Sequence, residues 1–333
     1  MIKNYKDYLI TENIYRKPTH GYDLLRKLNY EFEIKKITLY KTLERLERDQ
    51  IISILKVDNR RKIYQITEFG KQELMTKRDI YPEIKNRKFT KIGEHIEHFE
   101  EIDSTNLYLK NYGDTLAEGY IAYADYQSQG RGRLSRKWEN EKDQNVSMSI
   151  LVKPEVMIHE VPKITQVAAA CIWQVLKENG VEAKIKWPND IIVDGKKICG
   201  ILVESKLSGT RPDHIVVGIG LNVNTKTYQG EIRQKAISMH QVTDKKYVIL
   251  DLVKQISHEF EVVYNQFING NNGYLEICRD NSFLLNKEVK VNIDNTEITV
   301  KVIDIAENGQ LLVEYEGEII SLNISEVTLE SNY

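Results

Sequence analysis

The clearest pattern of apolar and polar positions lies between Pro162 and Gly180. Its apolar residues repeat with helical period and mark one buried face: Ile164, Val167, Ala168, Cys171, Ile172, Val175 and Leu176. Gly180 follows as a residue that ends helices. A second amphipathic pattern, from about Tyr247 to Phe267, predicts another helix. We expect the first of these helices to be core scaffold.

The end of the chain alternates between apolar and polar positions instead. Val289, Val291 and Ile293 alternate with polar residues, and the same pattern recurs in residues 298–302, 310–315 and 318–322. Tight turns rich in Asp, Asn, Glu and Gly separate these stretches. Short strands joined by tight turns predict a small β-barrel at the end of the chain.

The first 80 residues combine both patterns. Two short helices have apolar faces marked by Leu24, Leu25, Leu28, Leu39, Leu43 and Leu46. Residues 51–57 and 62–66 then alternate like two strands around a basic turn, and Thr67 is placed to cap a third helix. The order of helix, helix, two-stranded wing and helix predicts a winged helix-turn-helix.

The second of these helices has a polar face opposite its leucines, formed by Thr38, Lys41, Thr42 and Arg45. Such a face fits a DNA major groove, with Arg and Lys on phosphates or base edges and Thr on either. The first 80 residues hold 18 Lys and Arg against 12 Asp and Glu, whereas the remainder holds 29 against 37. The chain thus has a basic head, residues 1–80, and an acidic body, residues 81–333. This difference in charge indicates that the two parts bind different partners.

Short motifs of the head resemble the PadR-like transcriptional regulators. The motifs are His20 to Leu24, Thr38-Leu39-Tyr40 with Leu43, Arg45 to Glu47, and Arg61 to Gly70. One departure is Ile37, where that family usually has a small residue. The resemblance implies a DNA-binding domain whose contacts include Thr38, Lys41, Thr42, Arg45, Arg60 and Arg61. The alternative is a winged helix that serves only protein contacts or dimer packing.

Residues 79–92 contain Pro82 within a mixed charge run and show no apolar period, so they are predicted to be a linker. A chain of 333 residues is long enough for two or three domains. We predict a winged helix at 1–78, a central domain at 93–272 and a C-terminal domain at 273–333. Because Pro82 leaves little room for the dimerisation helix common in PadR-like proteins, any dimer is expected to form through the body.

The stretch from Gln127 to Trp138 contains two glycines and four cations. Gly130 and Gly132 allow the backbone to approach a ligand closely. The cations need anionic partners, which favours a phosphate ligand: Arg131, Arg133, Arg136 and Lys137. Taken alone, the stretch is equally compatible with a solvated basic hairpin.

Residues 184–204 predict a hairpin that carries charged residues. Asp194-Gly195 lies between two apolar stretches, which is a strong hairpin signal. Asp190 and Lys197 are therefore expected on neighbouring strands, where a carboxylate and an ammonium group meet. From spacing alone, a solvated hairpin lysine is the favoured interpretation of Lys197. Ser104 or Thr105 is placed to cap a helix that follows.

From about Gly93 onward, the chain resembles the biotin protein ligases. It carries five blocks in the order and spacing of that family: Asp103 to Asn106, Gly130 to Arg133 with Arg136 to Trp138, Lys186 to Asp190, Lys197 to Glu204, and Gly218 to Asn222. One departure is Ser135, where many members have glycine. The resemblance implies an α+β protein: the winged helix-turn-helix, a central biotin/lipoate-ligase-like mixed sheet with helices, and an SH3-like C-terminal barrel.

This resemblance also implies an ATP-dependent, AMP-forming reaction that needs biotin, ATP and Mg²⁺. Arg131, Lys197 and Asp190 would serve the chemistry, with Asp190 either binding Mg²⁺ or orienting Lys197. Biotin would be bound by Ser104, Thr105, Asn106, Gln127, Gly130, Arg131, Gly132, Arg133, Lys197, Gly200 and Gly218. ATP would be bound by Arg131, Arg133, Arg136, Trp138, Asn189, Asp190 and Asn222.

The implied partners are a biotin carboxyl-carrier protein or domain, operator DNA and a second copy of the chain, in a homodimer that ligand favours. Two alternatives stay open: a ligase whose winged helix serves only assembly, and a ligand-sensing regulator without ligase activity.

Composition agrees with a soluble protein, since 41% of the residues are hydrophobic and 29% charged. No apolar run approaches the roughly 18 residues that span a bilayer, and Met1 to Ile10 is too polar for a signal peptide. We therefore expect a cytoplasmic protein with no membrane partner. Cys171, Cys199 and Cys278 are odd in number and set among apolar residues, which predicts buried free thiols in place of disulfides or a zinc site.

Overall fold

A computed structural model describes residues 2, 5–29, 35–58, 61–78, 90–133, 138, 141–208, 211–293, 296–323 and 328–330. The chain forms two compact units, Met1–Lys88 and Phe89–Tyr333. The predicted linker at 79–92 falls mostly outside the described residues. No helix in these described ranges is both long enough and apolar enough to cross a membrane.

The first unit is a winged helix-turn-helix, as predicted. Its elements are α1 (Tyr5–Arg16), β1 (Thr19–His20), α2 (Gly21–Asn29), α3 (Lys36–Arg48), β2 (Ile52–Asp58), β3 (Arg61–Ile66) and α4 (Glu68–Arg78). The strands form an antiparallel sheet in the order β1-β3-β2. Five of the predicted leucines are fully buried: Leu24, Leu28, Leu39, Leu43 and Leu46. Thr67 caps α4, because its Oγ1 accepts the N–H of Gly70 at 2.9 Å.

The second unit is built on a mixed seven-stranded sheet. Its strands are β4 (Ile96–Phe99), β5 (Ile121–Ala124), β6 (Asn145–Val152), β7 (Lys184–Lys186), β8 (Asp190–Val193), β9 (Lys196–Ser208) and β10 (Arg211–Asn222). They lie in the order β4-β5-β6-β10-β9-β8-β7. Only the β4–β5 pair is parallel among the paired strands that the structure describes. Strand β6 is buried along its whole length, as expected for the middle of a covered sheet.

Helices cover this sheet. They are α5 (Thr105–Tyr112), α6 (Val161–Glu178), α7 (Ile232–Lys235), α8 (Met239–Thr243), α9 (Ile249–Phe267) and α10 (Gly273–Asp280). The seven apolar positions predicted for the buried face of α6 are all buried, and α9 packs beside α6 in the same core. The three cysteines are free and buried, as predicted. Both long helices are therefore scaffold.

The predicted C-terminal strands are present. They are β11 (Glu288–Ile293), β12 (Thr296–Ile305), β13 (Leu311–Tyr315), β14 (Glu318–Leu322) and β15 (Thr328–Glu330), in the order β14-β13-β12-β11-β15. All neighbours are antiparallel. Within the described part of the chain, hydrogen bonds join these strands into a sheet with two edges, and no closed barrel is seen.

A turn of this C-terminal sheet is fixed to the central one. The carbonyl of Gly309 accepts hydrogen bonds from Gln166 Nε2 at 2.6 Å and from Trp187 Nε1 at 3.0 Å. Trp187 is 2% exposed and belongs to the Lys186–Asp190 block. The predicted site motif is thus held from behind by the C-terminal sheet.

Candidate active site

All five predicted motifs of the second unit contribute residues to one cleft. Its walls include twelve predicted site residues: Ser104, Thr105, Asn106, Gln127, Arg131, Gly132, Arg133, Trp138, Asn189, Lys197, Gly200 and Gly218. The sequence prediction missed Met148, Ile201, Leu202, Ile219 and Gly220, which also line the cleft. Leu202 and Gly220 follow Gly200 and Gly218 by two positions on β9 and β10, so they share the strand face of those glycines.

One wall of the cleft is the first turn of α5. Ser104 caps this helix, since its side chain accepts from Leu107 N at 3.4 Å. Thr105 and Asn106 follow in the first turn, and both are buried. The N–H of Thr105 donates to Gln127 Oε1 at 2.8 Å, which joins this turn to the start of the Gly/Arg stretch, residues 127–138. The geometry gives Ser104 a capping role in addition to its position on the wall.

Asn106 lies against the sheet where Gly218 has no side chain. A Cβ at position 218 would be 2.1 Å from Asn106 Oδ1, so only glycine fits there. Asn106 Nδ2 donates to Leu202 O at 3.3 Å and to Glu204 Oε2 at 3.0 Å, and its Oδ1 accepts from Ser149 Oγ at 2.6 Å. Ser149 and Glu204 were not predicted as site residues. Glu204 shares the face of β9 that carries Gly200 and Leu202, a spacing that indicates its position.

The predicted hairpin brings Asp190 and Lys197 together. Strands β8 and β9 pair antiparallel across a turn in which Asp194 and Gly195 both have positive φ, 49° and 75°. Lys197 Nζ lies 2.7 Å from Asp190 Oδ1, and both side chains are partly exposed. Lys197 lines the cleft and Asp190 does not. The carboxylate therefore holds the lysine from behind.

The Gly/Arg stretch closes on itself and reaches across the cleft. Trp138 N donates to Gly130 O at 2.9 Å, and a Cβ at position 130 would be 2.7 Å from Trp138 O. Gly130 thus closes the loop without lining the cleft. Arg133 Nη1 donates to Asn189 Oδ1 at 3.1 Å, which connects two predicted blocks. Arg136 lies outside the described residues.

Asn222 does not line the cleft, in contrast to the predicted contact with ATP. Its Nδ2 donates to Lys197 O at 3.3 Å and to Ile237 O at 3.2 Å, and the side chain is buried. Asn222 is the last residue of β10, and this end of β10 lies beside the start of β9, which explains its placement. Asn222 therefore holds the backbone at Lys197.

Trp138 fills much of the cleft. A Cβ at position 220 would lie 2.4 Å from its indole ring and one at position 200 would lie 3.1 Å from it, so the ring rests on two glycines. Lys197 Nζ is 5.5 Å from the ring centroid, within cation–π range. The free volume left is about 50 Å³, whereas small-molecule sites measure about 300–1,000 Å³. A ligand as large as a vitamin or nucleotide must displace the indole.

We predict that ligand binding changes the fluorescence of Trp138. Moving this indole away from Gly200, Gly220 and Lys197 changes its solvation and its nearest charge. Titrating the protein with biotin and ATP should shift the tryptophan emission. Trp173→Phe should retain the shift, because Trp173 donates to Ala183 O at 3.0 Å and does not line the cleft. Persistence of the full shift in Trp138→Phe would contradict the prediction.

The predicted DNA-binding face in the first unit is only partly as expected. Thr38 and Lys41 are exposed on α3, and Arg61 is exposed at the start of β3. Thr42 is half-buried and its Oγ1 donates to Thr38 O at 3.0 Å. Arg60 lies outside the described residues.

Arg45 differs from the prediction, since it is engaged within the domain. Its guanidinium contacts Asp7, a carboxylate that is only 3% exposed, and lies 3.5 Å from Asp49. Asp7 belongs to α1, a helix that the sequence patterns did not predict. Arg45 therefore joins α3 to α1, a structural role that the sequence prediction did not include.

Three family models match the chain. They are the transcriptional regulator PadR-like family at residues 10–76, the biotin/lipoate A/B protein ligase family at 98–222, and the biotin protein ligase C terminal domain at 284–329. Fold and cleft thus define a protein with a PadR-like winged helix and the two domains typical of these ligases. The second unit is similar to the biotin protein ligases over these two segments.

Curated relatives include two bifunctional ligase/repressors named BirA. The protein of Bacillus subtilis (strain 168) is 28% identical over 243 residues, covering 72% of this chain and 75% of the relative. That of Escherichia coli (strain K12) is 29% identical over 237 residues, covering 69% and 72%. Among solved structures, the biotin protein ligase from Aquifex aeolicus in complex with biotin and ATP aligns with a TM-score of 0.63 and 27% identity. It covers 71% of this chain and 99% of that one.

Proposed function

We propose that this chain is an ATP-dependent biotin protein ligase. It joins biotin to AMP as biotinyl-5′-adenylate and then transfers the biotinyl group to a lysine of a carboxyl-carrier domain. The observation that carries this proposal is the convergence of Arg131 and Lys197 on one cleft that Thr105 and Asn106 also line. Two cations together with hydrogen-bonding groups suit a ligand with a carboxylate tail and a polar head.

The chemistry needs no nucleophile from the protein. A biotin carboxylate oxygen bonds to the α-phosphorus of ATP, and the bond from that phosphorus to the pyrophosphate oxygen breaks. Both reactants are anions, so Arg131 and Lys197 lower their repulsion and stabilise the charge of the transition state. The lysine amine of the carrier then attacks the acyl carbon, and AMP leaves.

The resemblance to the biotin protein ligases suggests a role for many of the residues that line the cleft. Thr105, Asn106 and Gln127 bind the ureido ring, and Gly200 and Gly218 leave room beside it. Lys197 meets the activated carboxyl group. The adenylate contacts Arg131, Gly132, Arg133, Trp138 and Asn189.

Mg²⁺ fits the cleft as a companion of ATP. Magnesium sites in such enzymes use one or two carboxylates together with substrate phosphates. Among the described residues, no group of three His, Cys, Asp or Glu side chains is arranged to hold a metal. Asp190 is the nearby carboxylate in the predicted set, and its ion pair with Lys197 favours the orienting role. Bound Mg²⁺ would neutralise phosphate charge, with ATP oxygens supplying most ligands.

The ligase assignment is tested by measuring pyrophosphate release with purified protein. Release should require both biotin and ATP, and it should be detectable before any carrier domain is added. Release without biotin, or its absence with both substrates present, would contradict the assignment. A regulator without ligase activity would bind biotin or its adenylate and release no pyrophosphate.

A second function is supported by the PadR-like first unit. We propose that the chain also binds operator DNA and represses transcription in response to biotin. A single recognition helix with few phosphate contacts binds weakly, so we further propose that biotinyl-adenylate favours a dimer through the ligase unit. Sedimentation of the ligand-free and adenylate-bound protein tests the dimer. The same weight-average mass in both states would contradict it.

Removing two exposed cations should weaken DNA binding without affecting the ligase. Lys41→Ala combined with Arg61→Ala removes two phosphate contacts, so the slope of log affinity against log salt should fall by about one for each. Lys71→Ala is the matched control, because Glu68 already pairs with that lysine. Mobility shifts at several salt concentrations measure the slopes. Equal slopes for the double variant and wild type would indicate that the winged helix serves assembly only.

A further inference from the structure

The carboxylate of Glu204 does not line the cleft but is tied to it through one amide. Glu204 Oε2 accepts from Asn106 Nδ2 at 3.0 Å, and Glu204 Oε1 accepts from Lys110 Nζ at 3.0 Å. Leu202 O accepts a second hydrogen bond from the same nitrogen at 3.3 Å. Both of these neighbours of Asn106 Nδ2 are acceptors only, so the amide cannot turn over. Its nitrogen faces Glu204 and its oxygen faces away.

The positions of the next protons follow from this orientation. Ser149 Oγ lies 2.6 Å from Asn106 Oδ1, which is an acceptor, so the hydroxyl of Ser149 must donate there. A hydroxyl has one proton. The 2.7 Å contact between Thr105 Oγ1 and Ser149 Oγ is therefore made with the proton of Thr105. Each hydrogen bond in this series therefore runs in one direction: Thr105 donates to Ser149, Ser149 donates to Asn106, and Asn106 donates to Glu204.

Gln127 does not reverse this order. Its Oε1 already accepts the backbone N–H of Thr105 at 2.8 Å, and it lies 3.1 Å from Thr105 Oγ1. The Thr105 hydroxyl is thus also within donating distance of Gln127, but Ser149 has no proton left for its 2.7 Å contact with Thr105, so the Thr105 hydroxyl must donate to Ser149. The oxygens of Thr105 and Asn106 thus keep lone pairs on the cleft wall.

We propose that Glu204 is a positioning residue that sets the direction of these hydrogen bonds, so that the cleft offers acceptor oxygens to ligand N–H groups. This inference rests on the proposed function for the ligand, since the cyclic urea of biotin carries two N–H donors. A ligand with acceptors at those positions would meet like groups and bind poorly.

The charge that sets this direction is present at neutral pH. Burial opposes ionisation of Glu204, but hydrogen bonds from Asn106 and Lys110, together with the charges of Lys110 and Arg131, lower the pKa of its carboxyl group. Because the pKa in the folded protein is lowered, the carboxylate persists at neutral pH. Its effect is lost only as the pH falls through that lowered value.

The test is the biotin affinity of Glu204→Gln, measured by calorimetry without ATP. A glutamine amide at this position can donate to Asn106 Oδ1, so only Leu202 O still opposes a turned Asn106 amide, and the turned amide would point a donor at the ligand N–H groups. We expect the dissociation constant to rise by about 30-fold, the cost of one unsatisfied buried pair. Glu97→Gln is the matched control, since Glu97 accepts from Tyr108 at 2.7 Å and Tyr120 at 2.8 Å away from the cleft. Its affinity should stay within about twofold of wild type.

A biotin analogue with methylated ureido nitrogens separates this role from general damage. If Glu204 acts through the N–H groups, the variant and the analogue each weaken binding, and their combined effect is smaller than the product. Multiplicative effects would overturn the inference, as would wild-type affinity in Glu204→Gln.

Folding and ligand identity have separate controls. If thermal unfolding shows that Glu204→Gln does not fold, Ser149→Ala is the second variant. It removes the buried hydroxyl that links Thr105 to Asn106 in the same series of hydrogen bonds, and it is expected to weaken biotin binding about tenfold. Wild-type affinity in Ser149→Ala would then overturn the inference. A wild-type protein that binds no biotin would instead contradict the proposed function.

Discussion

Replacing Lys197 with alanine is expected to slow biotin-dependent pyrophosphate release by about 10²- to 10³-fold, because one charged group that meets the transition state contributes about 3–4 kcal/mol. Lys197 lines the cleft and is held by Asp190 at 2.7 Å. Its side chain is 31% exposed, so truncation should leave the fold intact. Stopped-flow or coupled assays of pyrophosphate release measure the loss, and thermal unfolding confirms that the variant is folded.

Lys196→Ala is the matched control for this prediction. Lys196 is the preceding residue on β9, so its side chain projects from the other face of the strand. It should retain nearly full activity. The rate of pyrophosphate release in Asp190→Asn should lie between the rates of Lys196→Ala and Lys197→Ala. This variant leaves Lys197 charged but loses the ion pair that orients it. Pyrophosphate release at the wild-type rate in Lys197→Ala would remove this lysine from the chemistry.

Gly218→Ala is expected to weaken biotin binding by about 10²-fold. The added methyl group would lie 2.1 Å from Asn106 Oδ1 and 2.8 Å from Asn106 Cγ. Asn106 is held by three hydrogen bonds, so the methyl group must displace either this side chain or the strand. Overpacking of this kind costs about 1–3 kcal/mol. The displaced Asn106 also loses its alignment with the ligand.

Gly317→Ala separates local strain from the effect at the site. Gly317 has a φ of 84°, and a Cβ there meets no atom within 4 Å. This substitution should lower stability slightly and leave biotin affinity unchanged. Calorimetric titration of both variants gives the comparison. Equal biotin affinity in Gly218→Ala and wild type would show that Asn106 is free to move without loss.

Local signals were sufficient for the parts of the site that lie on one hairpin or one turn. The Asp194-Gly195 turn places Lys197 opposite Ile192, and Asp190 lies two residues from Ile192 on the same face of β8, so the meeting of Asp190 with Lys197 could be predicted from sequence. The same holds for Thr67 as the cap of α4 and for the buried face of α6. In each case the partners are close in the chain or follow one period.

Contacts between segments that are distant in the sequence could not be predicted from local patterns. Helix α1 was missed because its buried face contains Asp7, Thr11 and Glu12, which do not form an apolar stripe. Without α1, the pairing of Arg45 with Asp7 had no visible cause. The Asn222 contact with the backbone of Lys197 likewise depends on the meeting of β9 and β10, which no local pattern specifies.

The most direct test of the central claim is mass spectrometry of a biotin carboxyl-carrier domain incubated with this protein, biotin and ATP. We predict that one lysine of the carrier gains one biotinyl group, that omitting ATP prevents the gain, and that Lys197→Ala produces it only at a strongly reduced rate. An unmodified carrier in the complete reaction, from a protein shown to be folded, would contradict the assignment of this chain as a biotin protein ligase.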